Sequence, residues 1–233
     1  MQLTTDPGAF PPAPPPSTTD ASAIADHDWA AFANVEEMTN HWDRRGWTSS
    51  TRAYYWMLTF PDAALLIDQA RHCQKELRPL GFDDVDEDAL HLTLGRIGTV
   101  EQVSSGQLDY LIATAHEVRP EAFTLRAVPL TASRGAIRYS VAPWTPTVAL
   151  HAALGRAGAA VGLLPKKPTS AFRPHIGITY SNRCMPAGPV RDAVSPLRSL
   201  DSVVVPVKRV RLVELRREGR AYRWDLIHEM ELR

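Results

Sequence analysis

Two short stretches carry the residues best suited to chemistry: Leu90 to Ile97 (LHLTLGRI) and Arg173 to Tyr180 (RPHIGITY). Each places a histidine near the start of an apolar alternation. An imidazole, with an ordinary pKa of about 6.5, can take or give a proton near neutral pH. Side chains of an extended strand point to opposite faces with a period of two. Leu92 and Leu94 therefore share one face, and His91 and Thr93 share the other. By the same rule Ile176 and Ile178 oppose His175, Gly177 and Thr179. Each strand buries an apolar face and offers an imidazole, followed two residues on by a hydroxyl in one case and bare backbone in the other. A single histidine on a strand is more often a packed core or rim residue than a catalyst. The matched pair reverses that preference. A zinc site needs a third and usually a fourth ligand, and none stands beside either motif, so no metal and no cofactor is expected.

The elements that must hold these strands occur twice in like order. Ala53 to Phe60 is aromatic-rich and reads as a strand. The helix after Pro61 carries Leu66, Ala70, Cys73 and Leu77 at 4-3-4 spacing. The first histidine strand follows over about 89–97, then a helix marked by Leu108, Leu111, Ile112 and Ala115, then a strand from Phe123 to Leu130. The second half repeats this. Ala136 to Ala142 alternates as a strand, Thr145-Pro146 opens a helix with Leu150, Leu154, Ala157 and Val161, and the second histidine strand spans about 172–180. A helix within 189–200, a strand at 203–207 and a hairpin built from 209–215 and 221–232 complete the chain. The order predicts a duplicated α+β fold of two lobes, about 53–131 and 135–233, with antiparallel sheets lining a central cleft and helices on the outer faces. His91 and His175 lie 84 positions apart, about one repeat, so a pseudo-two-fold axis would set them facing each other across that cleft.

Composition narrows the partners. The 26 basic and 26 acidic residues cancel, which argues against a protein that grips long nucleic acid mainly by neutralising phosphates. Cys73 and Cys184 are far apart with no metal spacing and read as reduced thiols of a cytoplasmic protein. Residues 1–27, rich in Pro, Ala, Ser and Thr, lack the basic start and apolar stretch of a signal peptide and read as a disordered tail. No run approaches the roughly 18 apolar residues of a membrane span, so no membrane partner is expected, and no obligate protein partner is inferred. Between tail and first strand, Trp42 and Trp47 flank Arg44-Arg45-Gly46. Such an arm either covers one edge of the core, the reading preferred for lone aromatics, or stacks a base and touches a phosphate. His41 receives no role.

His91-Leu92-Thr93-Leu94 and His175-Ile176-Gly177-Ile178, one repeat apart, resemble the paired His-x-Thr/Ser-x motifs of the two-histidine (2H) phosphoesterases. Their setting is most similar to the bacterial 2′-5′ RNA ligase family, whose members mostly act as RNA 2′,3′-cyclic phosphodiesterases. Phe172 to His175, Tyr180-Ser181-Asn182 and the Trp-rich arm are similar to an actinobacterial branch of it, and the likeness covers about 29–233. It implies a metal-independent phosphodiesterase acting on 2′,3′-cyclic or 2′-5′-linked ends of RNA or small nucleotides. His175 would activate water, His91 would protonate the leaving oxygen, and Thr93 would donate to a phosphate oxygen.

The second motif departs from the pattern at Gly177, which offers no hydroxyl. Thr179 faces the same way but lies roughly 6.5–7 Å further along a regular strand. A lost charge-assisted hydrogen bond is worth about ten- to a hundredfold in rate. Two other readings therefore stand beside hydrolysis: a non-catalytic binder of phosphate ends with a degenerate second motif, and an RNA ligase running the reverse reaction. Arg173 and Arg138 are candidates for phosphate contact, and Tyr55 or Trp56 for stacking on a base. Arg96 and the basic run from Lys208 to Arg217 read as surface charge. His27, His72, His116, His151 and His228 have no partners at metal spacing.

Overall fold

The computed structural model describes residues 2–44 and 46–233. In chain order the elements are α1 (Ala21–Ala33), β1 (Glu37–Met38), β2 (Arg52–Thr59), α2 (Ala64–Leu77), β3 (Asp83–Asp84), β4 (His91–Thr99), α3 (Ser105–Glu117) and β5 (Phe123–Ser133). Then follow β6 (Ala136–Ala142), α4 (Trp144–Ala160), β7 (His175–Tyr180), β8 (Met185–Pro186), α5 (Gly188–Val194), β9 (Val203–Val207), β10 (Arg209–Glu218) and β11 (Ala221–Glu231). One antiparallel sheet has the order β11-β10-β2-β4, a second the order β3-β7-β6-β5-β9, and β1 pairs with β8 apart from both.

The period-based reading of the helices holds to the residue in places. Leu66, Ala70, Cys73 and Leu77 are the buried positions of α2, and α3 starts on a reciprocal capping box between Ser104 and Gln107. The sheets, however, do not follow the two halves of the sequence. β5, expected in the first lobe, belongs to the second sheet, and β10 and β11 complete the first. Short connections explain this. Arg134-Gly135 is too brief for anything but an antiparallel return, so β5 and β6 pair as a hairpin. The β10–β11 hairpin likewise forms locally and adds through β10 to β2.

The first sheet curls until side chains of its outer strands meet. Arg223 of β11 pairs with Asp86 at 2.5 Å and with Asp88 at 3.8 Å, just before β4. The Trp224 ring stands edge-on to His91, centroids 5.5 Å apart. A half-barrel results, with His91 at the mouth of its concave side.

The amino-terminal stretch corrects the expectation of a disordered tail. Asp20 caps α1 by accepting from the N–H groups of Ser22 and Ala23, and Ile24, Ala25, Asp28 and Phe32 are buried in its inner face against β5 and β6. The Pro-rich residues before it lie as a strap on the second lobe, where Thr4 N–H donates to Ser170 O at 3.0 Å. Two arginines tie it down. Arg173 donates to Thr4, Pro11 and Pro12 carbonyls at 2.7–3.0 Å, and Arg138 donates to Phe10 O at 3.1 Å. Composition alone reads Pro-rich sequence as solvated, but prolines keep their carbonyls free to accept, and a buried guanidinium needs acceptors.

Candidate active site

β4 is an edge strand of the first sheet and β7 lies one strand in from the edge of the second. The two run against each other without pairing, and each begins with its histidine. The rings are tethered identically. His91 Nδ1 is 2.8 Å from Ala89 O, and His175 Nδ1 is 2.9 Å from Arg173 O, in each case the carbonyl two residues back. A carbonyl only accepts, so Nδ1 carries the proton and Nε2 is the free nitrogen in both. A neutral ring then presents a basic Nε2, and a protonated ring presents an acidic Nε2–H.

The histidines share one electrostatic environment. His175 is pushed from 6.5 down to about 3, first by burial, then by the charges of Arg138 and His91, while the Arg173 carbonyl and Asp28 act in the opposite sense. The His175 side chain is nonetheless exposed to solvent, so the direction of this shift, and not its size, bears on catalysis. His91 is half-buried, and desolvation holds its pKa below the ordinary value. A charge on one ring disfavours protonation of the other, and burial holds both toward the neutral form.

Thr93 points outward from β4 on the face of His91, with its hydroxyl exposed. Across β7 the structure overturns the simple alternation. Arg138 of β6 partners Gly177, yet the next residue, Ile137, partners Thr179, so β7 carries one extra residue there. Such a bulge swaps the faces beyond it. Thr179 is turned inward, only 1% exposed, its hydroxyl without a partner among the described residues, and it does not reach the cleft. Tyr180 takes the face that Thr179 was expected to hold. A Cβ placed on Gly177 would lie 3.5 Å from the Tyr180 hydroxyl.

Arg173 is buried at 6% exposure and engaged with the strap and with the carbonyls of Ser170 and Phe172, so it is scaffold, not a phosphate ligand. Arg138 is buried at 3% exposure and acts on His175 through its charge. Of the adjacent aromatics, Tyr55 lies with the arm, 6.3 Å from Trp47 between centroids. Trp56 is buried on the opposite face and lines a separate pocket with Leu94, Leu154 and His151. The basic hairpin is largely ion-paired, as in Arg211 with Glu229 and Arg216 with Asp225.

Several residues at the cleft carry no sequence signal that would have singled them out. His41 is buried, stacked on Tyr180 at 3.9 Å between centroids, with Nε2 3.1 Å from the Tyr222 hydroxyl; burial first, then Arg44, lower its pKa to about 2. Tyr180, Tyr222 and His91 also line a narrow cleft with Asp84, Asp86 and Arg220. Below His175, Ser140 of β6 donates to the buried Asp28 at 2.6 Å. The arm does more than cover an edge. Trp42 packs on Tyr180 and Tyr222, and the exposed Arg44 acts electrostatically on His41, His91, Tyr55, Tyr180 and Tyr222. Its neighbour Arg45 lies outside the described residues. Among the described residues no three His, Cys, Asp or Glu side chains stand together as a metal site, and no helix is long and apolar enough to cross a membrane.

Two antiparallel sheets flanked by helices, each contributing a histidine strand to one cleft, are the two-lobed architecture of the two-histidine phosphoesterases. Residues 60–219 match the 2′-5′ RNA ligase superfamily, and the chain belongs to that superfamily. Solved structures with the same fold include a protein described as a phosphoesterase, with TM-score 0.58 and 19% identity over 78% of this chain and 99% of that one. E. coli LigT in apo form gives TM-score 0.59 and 20% identity over 78% and 98%. The same E. coli protein complexed with 3′-AMP gives 0.56 and 19% over 78% and 98%. No curated protein matches the sequence. The strap, α1 and the arm all precede the family match.

Proposed function

We propose that the protein is a phosphodiesterase that opens 2′,3′-cyclic phosphate ends, or cleaves 2′-5′ linkages, of RNA or small nucleotides without a metal. The observation that carries this reading is the pair of identically tethered imidazoles with free Nε2 atoms on strands that share one cleft. In the proposed step His175 Nε2 takes a proton from water as the water oxygen bonds to phosphorus. The bond from phosphorus to one ribose oxygen breaks, and His91 Nε2–H gives its proton to that oxygen. Thr93 donates to a non-bridging oxygen, and Arg44 adds positive charge at the mouth. The substrate's own negative charge supplies the missing condition for acid catalysis, because it raises the pKa of the imidazole it approaches. Related folds crystallised with 3′-AMP and with phosphate support a phosphate ester as the ligand. The exposed Cys184 and the buried Cys73, both unpaired, suit a reducing compartment, and we place the protein in the cytoplasm.

A second reading, a binder of phosphate ends without turnover, is favoured only by the missing hydroxyl at Gly177. Product analysis on an RNA with a cyclic end, with chelator present, separates the two. Turnover to a single 2′- or 3′-phosphate supports the enzyme, and the product identifies the ester bond that breaks. Binding without turnover leaves the binder.

A further inference from the structure

The second half-site lacks the hydroxyl that Thr93 provides in the first, yet it is not bare. We propose that the phenol of Tyr180 replaces it and donates to the phosphate at the position a threonine or serine at 177 would serve. The proposal deepens the phosphodiesterase reading and rests on it.

Three features support it. First, the extra residue in β7 between Gly177 and Thr179 puts Tyr180 on the face of His175 and Gly177; in a regular strand it would point away. Second, the Tyr180 hydroxyl and Cε1 both lie 3.5 Å from where a Cβ at 177 would stand. The phenol therefore ends beside the point from which a side chain at 177 would start, in ordinary van der Waals contact with it. Third, the ring is held on several sides. His41 stacks on it at 3.9 Å, and Trp42 and Tyr222 pack edge-on to it at 5.3 and 5.6 Å, while the same residue lines the His91 cleft. A hydroxyl at the end of a ring so clamped is aimed before substrate arrives, which is the condition for stabilising charge as it develops. This also gives the arm a purpose: His41 and Trp42 fix the aim of Tyr180.

The test uses the full-length protein, adenosine 2′,3′-cyclic monophosphate as probe, and three variants: Tyr180→Phe, Gly177→Ser, and both together. Tyr180→Phe keeps the ring and its stacking, so the thermal midpoint should stay put while kcat falls about ten- to a hundredfold. Adding Gly177→Ser should restore most of that loss, because the serine hydroxyl enters from the position the family pattern uses. Unchanged kcat in Tyr180→Phe overturns the proposal, as does a loss that Gly177→Ser leaves in place. If the unsubstituted protein turns over no cyclic phosphate, the parent reading fails separately. Calorimetric binding of inorganic phosphate then decides the Tyr180 proposal: weaker binding in Tyr180→Phe with recovery in the double variant supports it, and equal binding in all forms overturns it.

Discussion

The two half-sites hold their histidines by the same backbone device but finish the job differently. On β4 the residue two positions on is Thr93, exposed on an edge strand whose sheet curls round to bring Trp224 against His91. On β7 it is Gly177, inside a sheet, with a bulge that substitutes a clamped tyrosine for a hydroxyl on the strand itself. The shared part is what proton transfer requires, a fixed tautomer and a free Nε2. The part that differs is phosphate contact, where any well-aimed donor will serve. Geometry of the proton-transfer groups is conserved between the halves, whereas the donor chemistry is interchangeable.

The strongest way to break the comparison is to remove the shared part. His91→Ala and His175→Ala should each lower kcat/KM about 10²- to 10⁴-fold, and the double variant should lose little more than the worse single one, since the two act on one transition state. Losses that multiply would mean independent roles. Next is the scaffold behind the second half. Arg173→Ala frees five backbone carbonyls, three of them in the strap, and should cost about 3 kcal/mol in urea unfolding. A change within a few tenths of a kcal/mol would show that the strap is not held as described. Thr93→Val should lower kcat by about ten- to a hundredfold, matching Tyr180→Phe; a much smaller effect would make the second half the sole phosphate contact. The pH profile sharpens the account of the pair. Both imidazoles are held below the ordinary pKa of 6.5, so above that pH a steadily shrinking fraction carries the proton the acid must give. kcat/KM should therefore fall as pH rises through neutrality, approaching about tenfold per unit. A flat profile from pH 6 to 8 contradicts this.

Much of this was legible in the sequence because it is local. Helix faces follow a 3.6 period, strands a period of two, and the two histidine motifs sit one repeat apart. What stayed hidden depends on events that local pattern does not encode. The exchange of β5 for the β10–β11 hairpin between sheets depends on which hairpins close locally and which edge then accepts them. The strap depends on buried Arg173 and Arg138 needing acceptors, a demand visible only once they are known to be buried. A single inserted residue in β7 inverts every face beyond it, so Thr179 was expected where Tyr180 stands. His41 stacks on Tyr180, but it belongs to no motif or periodic face that would have given it a role.

The central claim is that His91 and His175 address one phosphate. ¹⁵N-detected titration of the imidazoles with inorganic phosphate tests it most directly. A single stoichiometric binding event that shifts Nε2 of both histidines together and raises the pKa of at least one is the predicted result. Phosphate that perturbs only one ring, or two rings with separate affinities, would contradict it.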